Sequence, residues 1–198
     1  MKKKELDVVF LLDRSGSMQG LELDTIGGYN SYLDKQRKNK FNTYITTVLF
    51  DNEYEVLHDR CNINDVKDIT EKEYYVRGCT ALMDAIGKTI KNIEHKTDNR
   101  VLFVITTDGL ENASKEYTKA SIKRLIKKHS DWEFIYLGAD IDSSSEAASI
   151  GIDRKNACDY TKSKKGTRAL FNSISKAVEC MCMNDELDAS WSDELKNS

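Results

Sequence analysis

Five large apolar residues in a row, Val8-Val9-Phe10-Leu11-Leu12, run straight into Asp13-Arg14-Ser15-Gly16-Ser17. A run that short, without polar alternation and rich in branched and aromatic side chains, reads as a strand buried on both faces. Asp13, Ser15 and Ser17 therefore stand where a central strand ends, which is where open α/β sheets bind ligands. One carboxylate and two hydroxyls at alternate positions are hard oxygen donors, suited to a divalent cation such as Mg2+ or Mn2+. A helix-capping turn would use the same residue types, so this loop alone does not decide between the two.

The rest of the chain alternates in the same way. Leu23, Ile26, Tyr29, Tyr32 and Leu33 recur at helical spacing, interrupted by Gly27-Gly28, which we read as close packing against the sheet. Phe41 to Phe50 and Tyr54 to Leu57 flank the turn residues Asp51-Asn52 and predict a hairpin, hence one antiparallel strand at an edge. Residues 61 to 73 read as a polar connection with one helical turn around Asn64 to Asp68. Leu82, Ile86, Ile90 and Ile93 stripe a helix; Val101 to Thr107 is a second buried strand. A helix at Ile122 to His129, a strand at Trp132 to Leu137, a helix at Ser143 to Ile150, a strand at Ala157 to Tyr160 and a helix from Leu170 to Met181 come next. The order predicts an α/β fold: a doubly wound, mostly parallel central sheet with one antiparallel edge strand and helices on both faces.

Two further loops fit the same end of that sheet. Gly78-Cys79-Thr80-Ala81-Leu82 precedes a helix, and Thr106-Thr107-Asp108-Gly109 comes directly after a buried strand. Together with Asp-x-Ser-x-Ser they resemble, in family order, the metal-ion-dependent adhesion site of von Willebrand factor A domains, with the second loop similar to that family's Gly-x-Thr-Ala-Leu and the third to its Thr-Asp-Gly. The resemblance covers residues 6 to 182 and is to the bacterial or phage cytoplasmic type. It implies that Asp13, Ser15, Ser17, Thr80 and Asp108 hold the metal, some directly and some through water. It implies a non-enzymatic module whose Mg2+ (or Mn2+) takes an acidic residue from a protein partner, in an ATPase-containing assembly. Residues 1–183 then form a single A-like domain and 184–198 an acidic tail. That tail frays unless Leu187, Trp191 and Leu195, spaced by four, dock as one helical face.

The remaining signals are negative or local. The chain has 198 residues, enough for one such domain, and a net charge of −3, which argues against nucleic acid as the partner. Met1 to Lys4 is basic, but Glu5 and Asp7 interrupt the next stretch, and a signal core needs roughly 7 to 15 apolar residues. No apolar run approaches the ~20 residues of a membrane span. We expect a cytoplasmic protein without a membrane partner. The five Cys lack a framework spacing and read as reduced, packed thiols. Cys180 and Cys182 stand two apart on a helix and do not share a face.

Arg14, Met18 and Glu111 adjoin the ligand candidates and are expected at the rim of the site or as solvated surface, with Arg14 foremost to meet an acidic partner. Thr80 has a second expected role as helix N-cap. Asp142 and Ser144 form an oxygen-rich decoy after a strand, explained by a cap at Asp142 or Ser143. The basic stretches Lys115 to Lys128 and Lys162 to Arg168 read as solvated helix faces. The alternative function is a Mg2+-dependent phosphatase resembling the haloacid dehalogenase type, which needs a second Asp two residues after the first; Ser15 stands there. Neither a dinucleotide Gly-x-Gly-x-x-Gly nor a phosphate-binding Gly-x-x-x-x-Gly-Lys-Ser/Thr occurs.

Overall fold

The computed structural model describes residues 5–184 and 186–197; Met1 to Lys4, the basic N-terminal residues, lie outside it, as do Asp185 and Ser198. Its core is a six-stranded sheet built from β1 (Glu5–Asp13), β2 (Asn42–Phe50), β3 (Tyr54–Asn62), β4 (Arg100–Thr107), β5 (Glu133–Ala139) and β6 (Ala157–Tyr160) in the order β3-β2-β1-β4-β5-β6. Among the described residues only β2 and β3 pair antiparallel; every other strand pair is parallel. The helices are α1 (Glu22–Lys38), α2 (Leu82–Ile93), α3 (Lys119–Lys128), α4 (Ser143–Ser149), α5 (Lys164–Asn184) and the short α6 (Asp193–Lys196).

Strand alternation divides the core in two. Val8, Phe10 and Leu12 join Tyr29, Leu33, Ile174 and Val178 under α1 and α5. Val9 and Leu11 join Ile86, Ile90, Ile122 and Ala147 under α2, α3 and α4. Because both faces of β1 are covered, its apolar run needs no polar alternation.

Several local expectations change. Leu23 lies on the outer side of α1 and is exposed. Gly28 packs against the Phe171 ring of α5 rather than against the sheet, and a Cβ there would strike that ring. β3 runs five residues past Leu57, because a bulge beside Thr47 and a left-handed Arg60 (φ 49°) let the strand bend and keep pairing. The connection after it forms turns and no helix, and it buries Ile63, Val66, Ile69 and Tyr74. The C-terminal residues dock, though not as one helical face: Trp191, in a 3-10 turn, and Leu195, in α6, are buried in the core beside α5, while Leu187 lies outside any helix and is only partly buried against it. No helix among the described residues is long and apolar enough to cross a membrane.

The consequence for a site is topological. From β1 the chain crosses to β2 on one side, and β4 flanks β1 on the other. The carboxyl ends of β1 and β4 therefore border the crevice where the winding reverses, the place at which sheets of this order accept ligands.

Candidate metal centre

The first loop leaves β1 at Asp13, whose side chain is fully buried. Asp13 Oδ1 accepts the backbone N–H of Ser15 at 2.7 Å, and Oδ2 accepts the Thr107 hydroxyl at 2.6 Å. Burial lifts the Asp13 carboxyl to about 6; the hydrogen bonds from Ser15 and Thr107 oppose the rise, and the Asp108 charge adds to it. The backbone carbonyl of Asp13 accepts the Tyr74 hydroxyl at 2.6 Å, and burial keeps that phenol neutral. A single 3-10 turn, Gly16–Met18, then swings Ser17 to the surface while Met18 is buried beneath it.

The second loop is tied to the first by two backbone bonds, Gly16 N–H to Gly78 O at 3.1 Å and Arg77 N–H to Arg14 O at 2.8 Å. Gly78 sits at φ +67°, and a Cβ there would collide with Asn52 Oδ1, so no other residue fits this turn without strain. Thr80 is buried, and its backbone is spent on the third loop: its N–H donates to Asn112 Oδ1 at 2.9 Å, and its carbonyl accepts from Asn112 and Ala113. Its hydroxyl does not cap α2. Ala81 is the N-cap residue and makes no side-chain cap, while Glu111 reaches over from the third loop to accept the Met83 N–H at 2.8 Å. Thr80 Oγ1 carries no hydrogen bond among the described residues.

The third loop closes the constellation. The Ser17 hydroxyl donates to Asp108 Oδ1 at 2.6 Å and lies 3.1 Å from Ser15 Oγ. A Cβ added to Gly109 would come to 3.0 Å from Thr80 Oγ1 and 3.4 Å from Ser17 Oγ, so the absent side chain keeps a small space between these oxygens. Asp108 Oδ2 is buried without a hydrogen-bond donor. Lys162 Nζ approaches it at 2.9 Å as a charge contact whose alignment falls short of a hydrogen bond. All five candidates, Asp13, Ser15, Ser17, Thr80 and Asp108, thus converge at the carboxyl ends of β1 and β4. Two carboxylates and three hydroxyls around a space kept by a glycine fit a hard divalent ion; none of these five donors is a sulfur or an imidazole that would favour a softer one. No cluster of three or more His, Cys, Asp or Glu side chains able to hold a metal occurs among the described residues.

The expected rim is different. Arg14 is wholly buried, not a surface cation: its N–H to Phe50 O extends the β1–β2 ladder, and strand alternation turns it away from Asp13. Its Nε meets Asp51 Oδ2 at 3.1 Å and its Nη1 meets Glu55 Oε2 at 2.7 Å. Met18 is core. Glu111 folds inward and accepts from Met83, Ala113 and Ser114. Asp142 caps α4 through the Ser145 N–H at 2.9 Å, which accounts for the decoy. Sequence reasoning missed Thr107 and Tyr74 as supports of Asp13, and it placed Lys162 on a solvated face. Thr107 was in view inside the third motif; Lys162 carried no local signal.

No family model matches the chain, and no curated protein matches it by sequence. Solved structures do match by shape. Proximal thread matrix protein 1 from the mussel byssus, with a zinc-occupied adhesion-site motif, superposes with TM-score 0.67 at 15% identity over 90% of this chain and 46% of that one. A von Willebrand factor type A protein from Catenulispora acidiphila gives 0.67 at 13% over 88% and 42%. A point mutant of the PilB minor pilin from Streptococcus sanguinis gives 0.70 at 12% over 92% and 64%. The chain spans under half the length of the first two. At these identities the likeness is one of fold, and the fold is that of a von Willebrand factor A domain.

Proposed function

We propose that this chain is a divalent-metal-dependent protein-binding module. Mg2+ or Mn2+ held by Asp13, Ser15, Ser17, Thr80 and Asp108 coordinates an acidic side chain of a protein partner. The observation that carries this reading is the oxygen-lined space over Gly109, bounded by Thr80 Oγ1 and Ser17 Oγ. Asp13 and Asp108 supply the charge, and the three hydroxyls supply neutral donors. A bound ion with so few anionic ligands supplies an electrophilic centre open to one more carboxylate. The zinc reported in the mussel protein's motif supports occupancy of a site on this fold by a divalent ion.

The module is not an enzyme on this reading. Ser15 stands where a phosphatase of similar topology needs its second carboxylate, so no general acid is in place. The neighbours described as a matrix protein and a pilin are in keeping with a binding role. The net charge of −3 argues against nucleic acid. The five cysteines are all unpaired, in keeping with a reducing compartment; a cytoplasmic location and a partner within an ATPase-containing assembly are part of the same proposal.

Calorimetric titration of Mg2+ and Mn2+ into chelator-treated protein, wild type beside Asp13→Ala, tests the proposal. Binding in the micromolar-to-millimolar range that vanishes in a folded Asp13→Ala variant is the expected result. Equal binding by both proteins would place the ion elsewhere and overturn it.

A further inference from the structure

We propose that Lys162 is a built-in counter-ion of Asp108, which a divalent cation must displace in order to bind. This rests on the metal reading above and deepens it.

Lys162 comes from the turn between β6 and α5, far from all three ligand loops in the chain. That turn is fixed independently of the site. Ser163 Oγ accepts the Gly166 N–H at 3.0 Å in the geometry of a helix cap, Ser163 O accepts the Thr167 N–H at 2.9 Å, and a Cβ at Gly166 would strike the Thr161 carbonyl. The Lys162 backbone is therefore held, and its ammonium reaches inward to the one Asp108 oxygen that no hydrogen bond occupies. Its neighbours Lys164 and Arg168 form no ion pair among the described residues, so attraction to Asp108 distinguishes Lys162 from the rest of its basic stretch.

Charge balance gives the pairing a function. Asp13 and Asp108, both ionised, carry two negative charges, and Lys162 offsets one of them in the metal-free protein. A divalent ion neutralises both carboxylates. Lys162 is then surplus, and the loaded site carries a single positive charge, which one carboxylate from a partner cancels. Lys162 thus weakens the metal and, once displaced, favours an acidic ligand beside it.

The test uses the full chain and Mg2+ as the probe. Lys162→Met should bind Mg2+ on the order of ten-fold more tightly than wild type, because the competing cation is gone. Lys162→Arg, which keeps the charge, should gain nothing. Lys164→Met, two residues on and out of contact with Asp108, should leave affinity unchanged. Mass-spectrometric amine labelling should show Lys162 modified faster with saturating Mg2+ than without, while Lys164 labelling stays constant. Equal affinities for wild type and Lys162→Met, an equal gain in Lys164→Met, or Lys162 labelling indifferent to Mg2+ would overturn this inference and leave the metal site standing. Absence of binding in every protein would overturn the metal reading and this inference with it.

Discussion

The Ser17 hydroxyl donates to Asp108 Oδ1 across 2.6 Å, joining two loops 91 residues apart in the chain. This bond ties the first ligand loop to the third, and neither side chain in it takes part in the apolar core. Replacing Asp108 with Ala should therefore leave the protein folded while removing Mg2+ binding. Thermal melts check this directly. An ion at a hundred times its Kd stabilises wild type by about 2.7 kcal/mol, and Asp108→Ala should show no metal-dependent shift in Tm.

Gly109→Ala separates room from charge. Gly109 does not use a left-handed backbone, so alanine is tolerated there, but its methyl would sit 3.0 Å from Thr80 Oγ1. We expect stability within about 1 kcal/mol of wild type and Mg2+ affinity lowered on the order of ten-fold or more. Unaltered affinity would mean the ion does not use that space.

Thr80 and Glu111 divide two tasks that sequence position alone assigns to Thr80. Glu111→Ala loses the bonds to Met83, Ala113 and Ser114 and should cost about 1–2 kcal/mol in urea unfolding. Thr80→Ala should leave α2 intact and reduce metal binding. Circular dichroism and calorimetry on the two variants read these effects independently.

Asp13 makes the metal-free protein sensitive to pH. Burial raises its carboxyl from 3.8 to about 6, so between those values the native state holds a proton that the unfolded chain has released. Stability should fall as pH rises through that window, by roughly 3 kcal/mol from this group. Above about pH 6 the penalty is complete. Asp13→Asn should lack it. Unfolding of both proteins in chelator at pH 4 and pH 7 checks the difference, and parallel behaviour would refute it.

Arg14 and Asp51 form an ion pair with both side chains wholly buried. Asp51→Ala leaves the Arg14 charge with the half-exposed Glu55 and the face of the Tyr75 ring, and should destabilise the fold by about 3–5 kcal/mol. Metal affinity of the residual folded protein should stay near wild type, since Arg14 points away from the ligand oxygens. Denaturant unfolding and Mg2+ titration of the same variant separate the two.

What the sequence determined by itself is whatever lies in neighbouring residues. The unbroken run Val8 to Leu12 announces a strand covered on both faces, the helical stripe from Leu82 to Ile93 matches α2 residue for residue, and each ligand loop abuts a strand end or a helix start. The alternation of strands and helices predicted a mostly parallel sheet with one antiparallel edge strand; the strand order β3-β2-β1-β4-β5-β6, which brings Asp13, Ser15, Ser17, Thr80 and Asp108 to one end of the sheet, is seen only in the structure. Tertiary structure alone decided the directions and partners of single side chains. Arg14 adjoins Asp13 in sequence, yet the β1–β2 ladder turns it inward to Asp51. Leu23 keeps helical phase with its neighbours, yet it faces solvent. Glu111 caps a helix that begins before it, and Lys162 finds Asp108 from a turn on another strand. Local periodicity encodes which elements form, because hydrophobic burial acts on faces. Charge and hydrogen-bond partners depend on register and crossover across tens of residues, which no local pattern carries.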